Sequence, residues 1–418
     1  MATRRSRQRR ARQPGEPLTA LEQYLDATIR HQVGLLQFSG RVARRVRELL
    51  DATESDLRAQ VRRILEGQPR GLQSRAQVRR MERLVAAIEK IRNSAWDRAE
   101  DVWREEMAAL ALAEPKAMDG ILRTAMPVTL GTTLPPAETL RALVTTTPFE
   151  GGVMAEHFSR IRRADVRRLT TEVRIGIVQG ESVPQISRRL VGTVRQRGRD
   201  GRTEITRKQA TTLTRTATSA VANATTREWA LANSDVFSVD LFIATLDDRT
   251  TNICKSLDGE TFPVEQVYPQ LPLHWNERSR RLPMPSSTPL GRRPMKPVTE
   301  RQLLMEFAER QRIAPVRRRA DLPFGTKGAF DAFARKRTRE LIGTVPAART
   351  YAQFLAQQPV IFQEEALGGT VRARLFRRGK LPLSGYVDEF GRDKTLAEIA
   401  RDDAQAFRAA GLDPEDFL

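Results

Sequence analysis

Between residues 19 and 113 the apolar side chains recur every three or four positions, which commits this stretch to long amphipathic helices. Thr19 followed by Glu22 is a capping-box signature at the start. Leu21, Leu25 and Ile29 continue the stripe, then Val42, Val46, Leu49, Leu57, Val61 and Ile64, up to a stop at Gly67. A second stripe follows through Met81, Leu84, Val85, Ile88, Ile91, Ala95, Ala99 and Val102, with Arg, Glu and Gln opposite. Two antiparallel helices joined near 67–73 satisfy both stripes. Trp96 and Trp103, seven apart, fall on one face. Two uses are open to such a hairpin: a self-contained bundle, or apolar stripes offered to a partner's helical surface.

Charge sets the second constraint. The 418 residues carry 71 Lys and Arg against 51 Asp and Glu, a formal charge of +20, which suits a polyanionic partner. Arg4, Arg5, Arg7, Arg9, Arg10 and Arg12 lie in a basic arm over 1–17 whose first twelve residues hold no acid, read either as a solvated tail or as a nucleic-acid-binding arm. The loop 195–202 adds Arg195, Arg197 and Arg199. Residues 276–319 hold twelve Lys or Arg against four Glu, among them Arg292, Arg293, Lys296, Arg317, Arg318 and Arg319. All of these are candidate phosphate contacts, without base readout because no reading helix or finger is apparent. The longest charge-free runs, 124–137 and 350–363, are 14 residues each and fall short of a membrane span, so no membrane partner is expected.

The remaining pattern is that of an α+β chain, predominantly α-helical. Residues 114–150, rich in Pro and Thr, read as a connector. Helices are expected over 159–179, 185–191 and 204–232, the last with its Thr-rich polar face. A strand is expected over 236–244, with a paired strand over 261–264. Five prolines within 283–297 argue against regular structure there. Helices resume over 299–312 and 328–341, and 348–418 alternates short helices with turns. The resulting partition is 1–17 (arm), 18–135 (long helices), 136–282 (α+β core), 283–349 (basic linker with helices) and 350–418 (C-terminal segment).

The chemistry-bearing residues are few. There is no GxxxxGK[ST], GxSxG, HExxH or strand-linked GxGxxG. Asp247, Asp248, Asp258 and Glu260 allow two interpretations. One is a metal or catalytic carboxylate cluster. The other is turn chemistry, with Asp side chains bonding backbone N–H groups and Arg249 pairing to an acid. His274, beside Trp275, is read as a packed or hydrogen-bonded residue. Cys254, the one cysteine, is read as a small buried side chain, although Lys255 beside it would lower the pKa of a reactive thiol. His31, His157 and His274 are the three histidines and leave little for a His-based metal site.

The segments LDDRTTNICKSLDGETF (246–262) and PLHWNERSR (272–280) resemble the signature of the phage head morphogenesis family named after protein F of phage Mu. Asp247, Asp248, Arg249, Thr250, Leu257, Asp258, Gly259, Phe262, Pro272, His274, Asn276 and Arg278 fall at the signature positions, with Cys254 at one of its cysteines. The other three cysteine positions are Thr251, Glu277 and Ser279. The stretch EVRIGIVQGESVPQISRRL (172–190), the helix with Arg215, Thr216 and Asn223, and the tail elements YAQFLAQQP (351–359) and VDEFGRDKTLAEIA (387–400) are similar too.

The resemblance, over roughly 160–400, implies a structural minor capsid protein of a tailed phage. Such a protein has no catalytic residues, enters the prohead, and acts in head morphogenesis and DNA delivery at the portal vertex. The implied partners are the portal protein, packaged double-stranded DNA, and the major capsid or scaffold proteins. The implied location is the virion, with the host cytoplasm during assembly. One thiol and one imidazole are fewer than the four ligands of a structural zinc, so no metal or cofactor is expected. The rival readings are a nonspecific DNA-binding protein outside any virion, and a nuclease or transferase acting through Asp247, Asp248, Asp258 and His274.

Overall fold

The computed structural model describes residues 19–68, 74–126, 130–285, 292–346, 349–388 and 390–418. Its fold is α+β and predominantly α-helical. No helix among the described residues is long and apolar enough to cross a membrane. The arginines of the N-terminal arm lie outside the described residues.

Three helices make the N-terminal body: α1 (Ala20–Asp51), α2 (Thr53–Leu65) and α3 (Arg75–Ala125). Thr19 and Glu22 close the capping box, the Thr19 N–H donating to Glu22 at 2.7 Å and the Glu22 N–H to the Thr19 hydroxyl at 3.3 Å. The first stripe is divided at Ala52 into two helices instead of running through. The second runs on into the stretch 114–150 expected to be a connector, as far as Ala125 and with Pro115 inside the helix, and Ala137–Thr146 of that stretch is helical too. Pro115 withholds one N–H there, and its burial in the packed body compensates.

Next come α4 (Ala137–Thr146), α5 (Met154–Val178), α6 (Val183–Val191) and α7 (Thr203–Leu231). These helices cover the N-terminal stripes. Val46 and Leu50 of α1, Trp96 and Trp103 of α3, Phe158 of α5, and Leu213, Ala217 and Val221 of α7 form one core. Both tryptophans meet Phe158 edge-on, at 6.0 and 5.7 Å between centroids. The apolar stripes are therefore consumed within the chain, and the core crosses the boundary expected near 135. In α7 small Ala and Thr side chains permit close packing. Thr hydroxyls bond back to carbonyls four residues earlier (Thr214 to Ala210, 2.9 Å; Thr218 to Thr214, 2.7 Å), so they are buried without an orphan donor.

A polar knot ties this body together. Arg92 is 1% exposed and donates to Asp165 (2.8 Å), the Leu50 carbonyl (2.8 Å) and the Thr53 hydroxyl (2.7 Å). Asp165 also accepts from the Trp96 indole (2.9 Å) and the Thr206 hydroxyl. Both oxygens of this buried carboxylate are used, as burial of a charge requires.

A three-stranded antiparallel sheet leans on the helices. Strands β1 (Val239–Ile243), β2 (Thr261–Pro263) and β3 (Arg280–Met284) lie in the order β2-β1-β3, with α8 (Asn252–Leu257) between β1 and β2 in sequence. The register sets Leu241 opposite Leu282 and Asp240 opposite Pro283. Leu241, Ile243, Leu282 and Met284 pack on Tyr24, Leu25, Met118, Leu122 and Trp229.

The prolines of 283–297 do not prevent strands. Pro283 sits on the edge strand β3, where a missing N–H can face away from the ladder. β4 (Arg292–Met295) pairs in a two-stranded ribbon with β5 (Gly343–Pro346), and α9 (Glu300–Gln311) and α10 (Lys327–Leu341) lie between them in sequence. The C-terminal segment winds α11 (Tyr351–Ala356), α12 (Val360–Leu367), α13 (Thr370–Arg377), α14 (Leu396–Asp402) and α15 (Ala404–Ala409) around a core that includes Phe354, Phe362, Leu375 and Phe407, and takes in Leu246 from the loop after β1.

Candidate functional site

The signature residues gather where β1 runs into α8 and where the segment 272–280 returns beside it. Asp247 is clasped by Arg278: Nη1 donates to Oδ2 at 2.6 Å and Nη2 to Oδ1 at 2.9 Å. Oδ1 also accepts from the Arg249 N–H and the Thr250 hydroxyl, each at 3.1 Å. Burial alone would push the Asp247 carboxyl up; the Arg278 guanidinium outweighs it and holds the group below its ordinary value. The expected pairing of an acid with Arg249 is corrected here. Arg278 takes that place, and the Arg249 side chain is exposed.

Asp258 is engaged by backbone. Its Oδ1 accepts from Ala244 N–H (2.8 Å) and its Oδ2 from Tyr351 N–H (2.7 Å), while the Tyr351 hydroxyl donates to the Asp247 carbonyl (2.6 Å). The turn that follows needs Gly259, at φ +88° and with Thr350 Cγ2 only 2.9 Å from where a Cβ would lie. Leu257 packs beside Cys254 and Phe242. Phe262 on β2 lies under the Arg281 guanidinium, 5.5 Å from its centroid. Pro272 follows a cis bond from Leu271. Asn276 takes φ +59° and donates its N–H to the Thr216 hydroxyl at 2.9 Å.

The acids do not converge. Asp247 faces Arg278, Asp248 faces Lys296 at 3.5 Å, Asp258 faces two amides, and Glu260 is exposed. Asp247 shows the expected bond to a nearby backbone N–H, that of Arg249, whereas the two amides on Asp258 come from residues 14 and 93 positions away. A different trio does converge: Cys254, His274 and Glu277 are the residues among those described that could hold a metal ion. The thiol lies 3.2 Å from His274 Nε2 and 3.2 Å from Glu277 Oε1, and His274 Nε2 lies 3.1 Å from Glu277 Oε2. Thr251 brings its hydroxyl to 2.9 Å from the same imidazole nitrogen, and Ser279 donates its N–H to Glu277 at 3.0 Å. The residues at all four positions at which the signature carries cysteine therefore meet around His274 and Glu277.

Cys254 is 1% exposed. Burial, and then the Glu277 carboxylate, push its thiol well above its ordinary range, so Lys255 does not activate it. Lys255 is itself buried, and burial brings its ammonium down to about 8; it donates to Asn252 Oδ1 (3.0 Å) and to the Ala366 carbonyl.

The trio sits in the wall of a cleft of about 760 Å³ between α1 and α7. The cleft is rimmed by Arg47, Lys208, Arg215 and Arg249, with the buried Arg280 at its floor, held by Glu114 (2.7 Å) and Thr226 (2.9 Å).

Elsewhere the candidate DNA contacts divide. Arg195, Arg197 and Arg199 are exposed on a turn pinned by Asp200, which accepts from Thr193 N–H at 2.8 Å. Arg317 and Arg318 are exposed as well. Arg319 is bound to Asp331 through two 2.6 Å bonds and Lys296 faces Asp248, so neither is free for phosphate. Arg292 and Arg293 lie on β4.

Sequence patterning does not mark Glu277, Arg92, Asp165, Glu114 or Arg280. Only the placement of Glu277 three residues after His274 hints at a shared role. No protein-family model matches the chain, and no curated protein or solved structure matches it.

Proposed function

We propose that this chain is a structural minor head protein of a tailed bacteriophage, associated with the portal inside the head and touching packaged DNA through exposed arginines. The observation that carries this reading is the use made of the signature residues. Asp247, Arg278 and Asp258 are spent on one another and on backbone, and they fasten the C-terminal segment to the α+β core through Tyr351. That is the work of architecture: both oxygens of each carboxylate are engaged by fixed donors, which disfavours taking up a substrate proton.

The charge supports the same reading. A body of +20 with arginines held out on an ordered turn neutralises phosphate and releases counterions without reading bases. The planar guanidinium suits two phosphate oxygens at once. The covered N-terminal stripes leave portal contact to polar surface and to the few exposed apolar residues of α1, Val33 and Leu36.

Purified particles test the proposal. The polypeptide should be found in full heads and should co-purify with the portal ring. Heads that package DNA normally while lacking it, or a purely cytosolic protein, would overturn the reading.

A further inference from the structure

We propose that Cys254, His274 and Glu277 bind one divalent cation of the zinc type, as a clip between α8 and the segment 272–280. The inference comes from the geometry of these side chains and does not depend on the head-protein reading.

The imidazole orientation is the first argument. His274 Nδ1 lies 2.9 Å from the Trp275 carbonyl, an acceptor only, so Nδ1 carries the hydrogen. In the neutral ring Nε2 then presents a lone pair to the cluster. That is the tautomer of a ligating histidine, whose other nitrogen is held by a carbonyl. Yet Nε2 stands 3.1 Å from Glu277 Oε2, an acceptor facing an acceptor. The Thr251 hydroxyl and the Cys254 thiol are the donors within reach of these two acceptors, and a metal ion between them would engage both lone pairs at once.

Charge is the second argument. The Glu277 side chain is 1% exposed and accepts from the N–H groups of Ser279 (3.0 Å) and Leu273 (3.2 Å). His274 is its one ion-pairing partner among the described residues. A divalent ion would balance this carboxylate and a Cys254 thiolate together, giving a neutral site with His274 neutral. On binding, the thiol proton leaves for solvent through the cleft and a sulfur–metal bond replaces the S–H bond.

Spacing is the third. The donor atoms are separated by 3.1 to 3.4 Å. Tetrahedral zinc with sulfur, nitrogen and oxygen ligands needs about 3.3–3.7 Å between them, within a small adjustment. Three protein ligands leave a fourth position on the side of Thr251 and the cleft, to be filled by its hydroxyl or by water.

The test uses the full chain, purified without a polyhistidine tag, stripped of metal and titrated with Zn²⁺ and with Co²⁺. One equivalent should bind, and cobalt should show a thiolate-to-metal charge-transfer band with tetrahedral d–d absorption. Cys254→Ser should abolish the charge-transfer band. Glu277→Gln, which keeps one acceptor oxygen for the Ser279 amide, should weaken zinc by at least about tenfold and leave the far-ultraviolet spectrum unchanged. A wild-type chain that gives no charge-transfer band and no stoichiometric zinc overturns the proposal and leaves the hydrogen-bonded trio as the content of the site. Zinc bound equally by wild type and both variants overturns it too.

Discussion

Arg278 reaches back 31 residues to hold both oxygens of Asp247, at 2.6 and 2.9 Å. The pair closes the loop after β1 onto the segment that leads into β3, beside the contacts of Thr251 and Cys254 with His274. Replacing Arg278 by Met strands a carboxylate whose side chain is 4% exposed. Urea unfolding should show a loss of about 3–5 kcal/mol, partly recovered by adding Asp247→Asn.

The Arg92–Asp165 knot makes a parallel prediction for the helical body. Asp165→Ala leaves a fully buried guanidinium without its anion and removes the acceptor of Trp96 and Thr206. A loss of about 3–5 kcal/mol is expected, read from the denaturant midpoint at constant m-value. Thr206→Val, which removes one donor to Asp165 and one acceptor of Arg168, should cost about 1 kcal/mol.

Two carboxylates give the pH profile opposite slopes. Burial raises Asp240 to about 6, the Arg281 guanidinium offsetting only part of that rise. Its contribution is complete below the ordinary carboxylate range and is lost as pH climbs through about 6, by at most about 3 kcal/mol. Asp247, held low, contributes above the ordinary range and loses its contribution as the solution is acidified through its lowered value. Asp240→Asn should therefore flatten the decline between about pH 4 and 6 and raise stability at neutral pH. Arg281 keeps carbonyl acceptors at Gln266 (2.8 Å) and Pro263 (3.1 Å) in that variant.

Salt titration of DNA binding separates the arginines. Replacing Arg195, Arg197 and Arg199 by Ala should reduce the slope of log K against log salt by about 0.9 for each phosphate that is no longer neutralised. Arg319→Ala should leave the slope unchanged, because that guanidinium is already committed to Asp331. Equal effects from both sets would show that the turn at 195–199 is not a DNA-binding surface.

Gly259→Ala tests the turn itself. A Cβ at φ +88° is strained, and Thr350 Cγ2 stands 2.9 Å away. The expected cost is about 1–3 kcal/mol, visible as a lowered thermal midpoint.

Local signals in the sequence account for much of this architecture. The stripes of α1, α5 and α7, the capping box at Thr19 and the pairing of β1 with β2 all follow from period, cap chemistry and turn residues. What escapes depends on distant partners. The Pro- and Thr-rich stretch from 114 looks like a connector until the burial of Pro115 in the helical body is known, and Pro283 looks like a strand breaker until β3 is seen at a sheet edge. The apolar stripes look like docking surface because nothing local says that Phe158 and Leu213 will cover them. At the site, Asp247 is legible as a turn acid. Arg278 as the partner of Asp247, and Glu277 beside Cys254 and His274, are not: a carboxylate at a cysteine position has no pattern of its own, and only the fold brings its oxygen to the thiol.

The reach of Asp258 to Tyr351 and of Lys255 to Ala366 has a vectorial consequence. On the ribosome, a nascent chain that has extruded β1, α8 and β2 still lacks the amide and the carbonyl that satisfy these two buried groups. The hub can mature only after about a hundred more residues have emerged, which delays its completion until the basic middle of the polypeptide has been threaded past it.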